Sequence, residues 1–369
     1  MDQIVQIKQY VFSTFHDSSD IQSPRSVIQT DCMKQLFFYP LVLFFLIPAV
    51  MPAQDLIQPP PSGKLFDAGG HLLHLHIEGK GGPAVIFENG SADFSFIWGL
   101  VQPAISKKTL TVSYDRAGYA WSEAGPVPRT GRQIAYELHT ALQHAGIRGP
   151  YILVGQSFGG FLVRTFARIY RSETAGIVLV DALHEDEKIM INNQAIRIRE
   201  MAQGRTDTGV QTMFAKLKDT GLQKENNPLA SNTAIEYPLD KLSPEDQKLQ
   251  LWAQTQFSYF KAASGEMDWS PEDVANMYKH KGEPEYMLGN IPLIVICKGK
   301  GSYSGSPDST ELEKRRIDLQ NELSHLSTNS RLIIDLHSGH NIHLEDPDTV
   351  IQAIEEVIHA YKTITPLKK

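Results

Sequence analysis

Residues 151–160 read Tyr-Ile-Leu-Val-Gly-Gln-Ser-Phe-Gly-Gly, and 161–170 continue as Phe-Leu-Val-Arg-Thr-Phe-Ala-Arg-Ile-Tyr. An apolar, β-favouring run enters a glycine-flanked serine, and a helical pattern leaves it. Strand, Gly-x-Ser-x-Gly, helix is the nucleophile elbow, and few folds can accommodate it. The sharp turn strains the backbone of Ser157 and lifts its hydroxyl above the sheet edge. Gly155 and Gly159 carry no Cβ, which lets strand and helix close around that turn. The N-terminus of the following helix then supplies free N–H groups and a dipole that favour a developing oxyanion.

The rest of the chain supplies a sheet for such a turn. Leu65–Gly70 and His71–Gly79 predict a hairpin around a Gly-Gly turn. Short Val, Ile and Leu runs follow at Pro83–Phe87, Leu110–Tyr114, Ala175–Asp181, Ile291–Cys297 and Arg331–Leu336. Helical patterns lie between them, over Phe94–Ile105 and over Thr130–Ala145, where Ile134, Leu138 and Leu142 recur at helical spacing; a last one covers Thr349–Lys362. Continuous apolar strands separated by helices predict an α/β fold, a doubly wound, mostly parallel sheet buried on both faces. Between Asp181 and Ile291 the alternation stops, and the polar, helical-looking stretch 183–290 reads as an inserted helical cap. The core is then 65–182 with 291–369.

The front of the chain has another character. Lys34 precedes an apolar run from Leu36 to Val50, and Met51-Pro52-Ala53 follows, an order that resembles a secretory signal peptide over 33–53. That run is interrupted by Pro40 and Pro48 and is short for a membrane span, which takes about 20 residues. The expectation is therefore an exported protein with no stable span after cleavage; an N-terminal membrane anchor is the alternative. Residues 1–32 show no apolar period and read as an extension ahead of a start at Met33, or else a disordered segment. The Pro-rich stretch 54–64 reads as a linker. Two cysteines, Cys32 and Cys297, cannot build a disulfide framework. A net charge of −7 with interspersed signs and no basic stripe excludes a nucleic-acid surface.

A serine at neutral pH needs a base within reach and an acid to orient that base. His340 has the right setting, in Ser338-Gly339-His340-Asn341-Ile342-His343-Leu344-Glu345-Asp346-Pro347 after the last strand. In a parallel sheet all strand carboxyl ends share one edge, so a histidine there can meet Ser157. His337 and His343 are its local rivals.

With Gly155-Gln156-Ser157-Phe158-Gly159-Gly160, Asp115-Arg116-Ala117-Gly118 and the His340 segment, the chain from about Leu65 onward resembles the α/β-hydrolase superfamily, and within it a capped serine hydrolase of esterase type. The resemblance implies His340 as base and the chain order Ser, acid, His. It implies an oxyanion hole from the N–H groups of Phe158 and Ser91, although Asn89-Gly90 stands where many relatives have His-Gly, which leaves Gly90 as a possible donor. It implies no cofactor. In many relatives the acid follows the strand after the cap, where this chain reads Lys298-Gly299-Lys300-Gly301-Ser302 with no carboxylate before Asp308. Asp181 ends the strand after the elbow helix, a position that some relatives use, and acids that orient a histidine work best from rigid elements. Asp181 is the expected acid and Asp308 the alternative.

Serine rather than aspartate at the elbow argues against dehalogenase and epoxide-hydrolase chemistry and for attack on an ester, thioester or amide. A cofactor-free peroxidase-type activity uses the same triad. The expected partner is a small-molecule ester whose apolar acyl group meets some of the cap's Met201, Met213, Phe214, Trp252, Phe257, Tyr259, Phe260, Met267, Trp269, Met277 and Tyr278. A catalytically silent ligand-binding protein on the same fold is the alternative. His74 and His76 share one strand face near His71, but no further ligand follows at metal spacing. Arg116 can bind a substrate carboxylate or brace a loop beside the elbow.

Overall fold

The computed structural model describes residues 59, 61–191, 194–205, 234–299, 301, 303 and 308–367. The expected extension, the signal peptide and most of the linker lie outside them, as do Met213 and Phe214. Among the described residues an eight-stranded sheet runs in the order β1-β2-β4-β3-β5-β6-β9-β10. Its strands are β1 (Lys64–Asp67), β2 (Leu72–Glu78), β3 (Val85–Glu88), β4 (Thr111–Tyr114), β5 (Tyr151–Gln156), β6 (Thr174–Val180), β9 (Leu293–Lys298) and β10 (Ser330–Asp335). β1 and β2 form the expected hairpin, with β2 antiparallel to β4; from β4 to β10 every neighbouring pair is parallel.

The parallel strands are apolar on both faces because both faces are covered. On β5, Tyr151 and Leu153 pack with Leu138, Phe161 and Phe166. These come from the helices α1 (Gly131–His144) and α2 (Phe158–Ile169). Ile152 and Val154 turn the other way, toward Trp98, Ile354 and Val357, the last two on the closing helix α6 (Pro347–Thr363). The two-residue period of the strand thus feeds two cores at once. Thr130 caps α1 by accepting from the Gln133 N–H, which starts that helix where the sequence predicts.

Three elements depart from the sequence expectations. Phe94–Ile105 is not one helix but two single turns, Ser95–Trp98 and Gln102–Ile105, with Gly99 and Pro103 between and within them. A helix absent from the sequence reading, α5 (Ser309–Ser324), occupies the crossover from β9 to β10. The segment between β6 and β9 is not purely helical. It begins with an antiparallel pair, β7 (Lys188–Ile191) and β8 (Gln194–Arg197), before α3 (Pro244–Gln254) and α4 (Phe257–Lys279). In β7 the β-branched Ile189 and Ile191 alternate with Lys188 and Met190, a two-residue period that favours a strand. Trp252 and Tyr259 of this segment join Phe94, Tyr119 and Trp121 in a third buried cluster, which ties α3 and α4 to the loops after β3 and β4. Trp269 and Met277 are buried too, whereas Met201, Phe257 and Tyr278 are exposed.

Candidate active site

β5 delivers Ser157 at its carboxyl end, and the turn there has the strain that the motif predicts. Ser157 adopts φ 52°, ψ −122° at the N-cap of α2. A side chain carries that left-handed geometry at a cost of order 1–3 kcal/mol, so it persists only where the surroundings over-determine it. Here they do. The Ser157 N–H donates to the Val180 carbonyl at 3.1 Å, and its own carbonyl accepts from Gly160 at 3.0 Å and Leu183 at 2.9 Å. Gly159 sits so close to the end of β3 that a Cβ there would strike the carbonyl oxygens of Glu88 and Asn89. The N-terminus of α2 is therefore pressed against the loop that follows β3.

β6 delivers Asp181 at the same edge, and the loop after β10 delivers His340. His340 Nδ1 lies 2.6 Å from Asp181 Oδ2. The other carboxylate oxygen, Oδ1, accepts from the Lys298 N–H at 3.1 Å and from Arg316 Nη1 at 3.0 Å. Lys298 Nζ stands 3.8 Å from Oδ2. Burial opposes ionisation of Asp181, but Lys298, the His340 hydrogen bond and Arg316 outweigh it and hold the carboxyl well below the usual carboxylate range. An ionised acceptor bound to Nδ1 selects the imidazole tautomer with the proton on Nδ1, leaving Nε2 free to accept. Gln156 Nε2 donates to the His340 carbonyl at 3.3 Å, which ties the histidine loop to the elbow. The Ser157 hydroxyl itself is not hydrogen-bonded to His340 here; such contacts are often loose before substrate arrives.

The rival residues have other surroundings. His343 is buried against the Trp98 ring, 4.8 Å between centroids, and burial beside His340 pushes it down to about 3. His337 is exposed, and Asp308 stands at the N-cap of α5 rather than on His340. His74 donates from Nδ1 to the Asp115 carboxylate at 2.8 Å in the interior, His71 faces Glu137 at 3.5 Å and His76 faces Glu78 at 3.0 Å.

The loop after β3, which carries Ser91, is braced from inside. Asn89 Nδ2 donates to the Tyr114 carbonyl at 2.8 Å and its Oδ1 accepts from Trp98 Nε1 at 2.9 Å. Arg116 is fully buried and donates to the carbonyls of Asn89 at 2.9 Å and Gly90 at 2.7 Å, which makes it a loop brace. Its charge is matched by Glu88 at 3.0 Å and by Glu266 of α4 at 3.0 Å. Burial pushes the Glu88 carboxyl up to about 7 against the pull of Arg116, and does the same to Asp93 in this loop.

Of the residues singled out in the sequence, the structure pairs His340 with Asp181 at the edge where β5 ends in Ser157; the sequence did not point to Lys298 and Arg316 as partners of Asp181, nor to Glu266 as partner of Arg116. Arg316 had a signal. Leu312, Arg316, Leu319 and Leu323 recur at spacings of four, three and four, one face of a helix. Glu266 had none, since its partner is 150 residues away in the chain.

Chemically, the edge offers a strained serine, an imidazole held by a buried carboxylate, and a helix N-terminus pressed against a braced loop. Comparison with known proteins bears on the fold. Over 129 residues the chain is 33% identical to a protein of Hormonema carpetanum described as a probable transporter, a match covering 33% of this chain and only 18% of that protein. It is 23% identical to the Bacillus subtilis protein YqjL over 295 residues, 80% of this chain and 91% of the relative. Its fold is similar to that of a Vigna radiata epoxide hydrolase mutant (TM-score 0.56, 17% identity, 80% and 98% of the two chains). It is also similar to that of a thermophilic esterase from Thermogutta terrifontis (TM-score 0.51, 18% identity, 81% and 98%). The sequence model of the α/β hydrolase fold matches residues 83–347, from the start of β3 through the His340 loop, and the chain belongs to that family.

Proposed function

We propose that this protein is a serine hydrolase that cleaves a carboxylic ester, or a related thioester or amide, through an acyl-enzyme. Ser157 Oγ attacks the carbonyl carbon while His340 Nε2 takes its proton, and the tetrahedral oxyanion rests on the N–H groups of Phe158 and Ser91. Collapse breaks the bond to the leaving group, which receives the proton from His340. Water then repeats the sequence against the acyl-serine and releases the acid. Asp181 fixes the imidazole tautomer and stabilises the imidazolium formed on the way.

The observation that carries the reading is the 2.6 Å pairing of His340 with buried, ionised Asp181 at the sheet edge where Ser157 sits at positive φ. Serine at the elbow favours acyl transfer over epoxide opening, which in this superfamily goes with aspartate there. The substrate we infer is a small ester with an apolar acyl group, bound under the cap, and the protein we infer is exported. A fluorophosphonate probe should label the wild-type protein on Ser157, and Ser157→Ala should lose both labelling and several orders of magnitude in p-nitrophenyl ester turnover. Near-normal turnover by Ser157→Ala would sink the reading.

A further inference from the structure

Arg116 and the cap residue Glu266 have no part in the proton transfers above, yet they meet at the back of the loop that carries Ser91. The loop's carbonyls are held at three points. Arg116 Nη1 donates to Asn89 at 2.9 Å, Nη2 to Gly90 at 2.7 Å, and the Tyr259 hydroxyl of α4 to Ala92 at 3.0 Å. In a trans peptide the C=O and the following N–H point in opposite directions within one rigid plane. A donor that holds the Gly90 carbonyl therefore aims the Ser91 N–H away from itself, and one that holds the Asn89 carbonyl aims the Gly90 N–H likewise. These are the two amides that can serve as the second oxyanion donor. The loop also abuts the elbow: a Cβ on Gly90 would strike the Gln156 side chain, and one on Gly159 would strike the loop's first carbonyls.

The guanidinium is fixed in turn. Glu266 takes Arg116 Nε on both carboxylate oxygens, at 3.0 and 3.1 Å, and accepts from the Tyr119 hydroxyl at 2.7 Å. Glu88 takes Nη1 at 3.0 Å. A rigid guanidinium fork can hold two carbonyls and two carboxylates at once, which an ammonium cannot. We propose that Arg116, locked by Glu266 of the cap helix α4, is a positioning residue that aims the oxyanion-binding amides of the 89–91 loop, so that the cap takes part in building the oxyanion hole. This rests on the acyl-transfer reading above.

Misaimed oxyanion donors raise the barrier without weakening ground-state binding, so the loss should fall on kcat. The test compares Arg116→Lys with wild type on p-nitrophenyl butyrate, and measures inhibition by an alkylboronic acid, whose tetrahedral serine adduct presents an oxygen to the hole. Arg116→Lys should lower kcat about 10- to 100-fold, somewhat less than outright removal of a donor, with KM nearly unchanged and boronate affinity falling by a similar factor. A folded Arg116→Lys with wild-type kcat, or a loss confined to KM with unchanged boronate affinity, overturns the proposal. If that variant does not fold, Glu266→Gln and Tyr259→Phe carry the same test: both should lose kcat and boronate affinity together, and wild-type values in both overturn it. Ser157→Ala is assayed alongside. Turnover retained there removes the acyl-transfer reading itself, whereas an inactive Ser157→Ala beside a fully active Arg116→Lys removes only the role of Arg116.

Discussion

Asp181→Asn offers the sharpest perturbation of the proposed triad, because the structure dictates how the new amide must sit. Oδ1 of Asp181 faces two donors, the Lys298 N–H at 3.1 Å and Arg316 Nη1 at 3.0 Å. The carbonyl oxygen of Asn must take that side, since the NH2 group would set donor against donor. The NH2 then faces His340 Nδ1, which must become an acceptor, and the imidazole proton moves to Nε2, where a base is needed. A wrong tautomer in this kind of triad costs about 10⁴ in kcat, or about 5 kcal/mol of transition-state stabilisation. Stability falls as well. Lys298 and Arg316 lose their buried counter-ion, a change of about 3–5 kcal/mol for a broken buried pair. Because the Asp181 carboxyl is held below its unfolded value, its stabilisation is fully present above the unfolded pKa and is lost only as pH falls through the folded one, so measurements at pH 7 contain all of it. The assay is kcat on p-nitrophenyl butyrate at 20 °C, with circular dichroism to verify folding. A folded Asp181→Asn that retained a tenth or more of wild-type kcat would refute the reasoning. Asp308→Asn, altered at the N-cap of α5, should leave turnover essentially unchanged.

Three further outcomes can be measured. Gly159→Ala should lower stability by about 1–3 kcal/mol or more, read as a fall in denaturant midpoint, because the backbone carbonyls of Glu88 and Asn89 cannot yield to the methyl; an unchanged midpoint contradicts it. Burial holds the Asp93 carboxyl at about 7, above its unfolded value, so the native state keeps the extra proton and stability declines as pH rises toward 7. Asp93→Asn should flatten that decline by roughly 1 kcal/mol per pH unit in denaturation curves at pH 5, 6 and 7, and parallel curves for the two proteins would contradict it. The export proposed above predicts a mature N-terminus at about Gln54, and mass spectrometry finding Met1 on cytoplasmic protein would count against it.

The parallel sheet and the elbow were legible because their signals are local. A buried strand is a continuous apolar run, and the glycines flanking Ser157 are demanded by contacts within a few residues or with an adjacent strand end. Asp181 was legible for a different reason: in a parallel sheet every strand end shares one edge, so topology alone brings residue 181 toward residue 340. What was not legible depends on long-range partners. The helix Ser309–Ser324 has a polar composition in which Leu312, Leu319 and Leu323 mark one face; the spacing puts Arg316 on that face, but nothing local says which carboxylate a charge there would meet. Its burial makes sense only beside Asp181. The helix expected over Phe94–Ile105 was a failure of a local kind, because Gly99 and Pro103 both disfavour a continuous helix there.

The junction between core and cap restricts how such a protein can be recombined. The chain enters the inserted segment directly from Asp181, and two residues later the Leu183 N–H donates to the Ser157 carbonyl at 2.9 Å, so the first residues of the insertion belong to the elbow. A chimera with a foreign segment spliced at residue 181 would have to rebuild that backbone clasp from its own residues and would leave Arg116 without the Glu266 carboxylate. A viable breakpoint therefore lies after Leu183, and the graft has to bring an acid to the site of Glu266. The inserted segment is thus not a free-standing cassette.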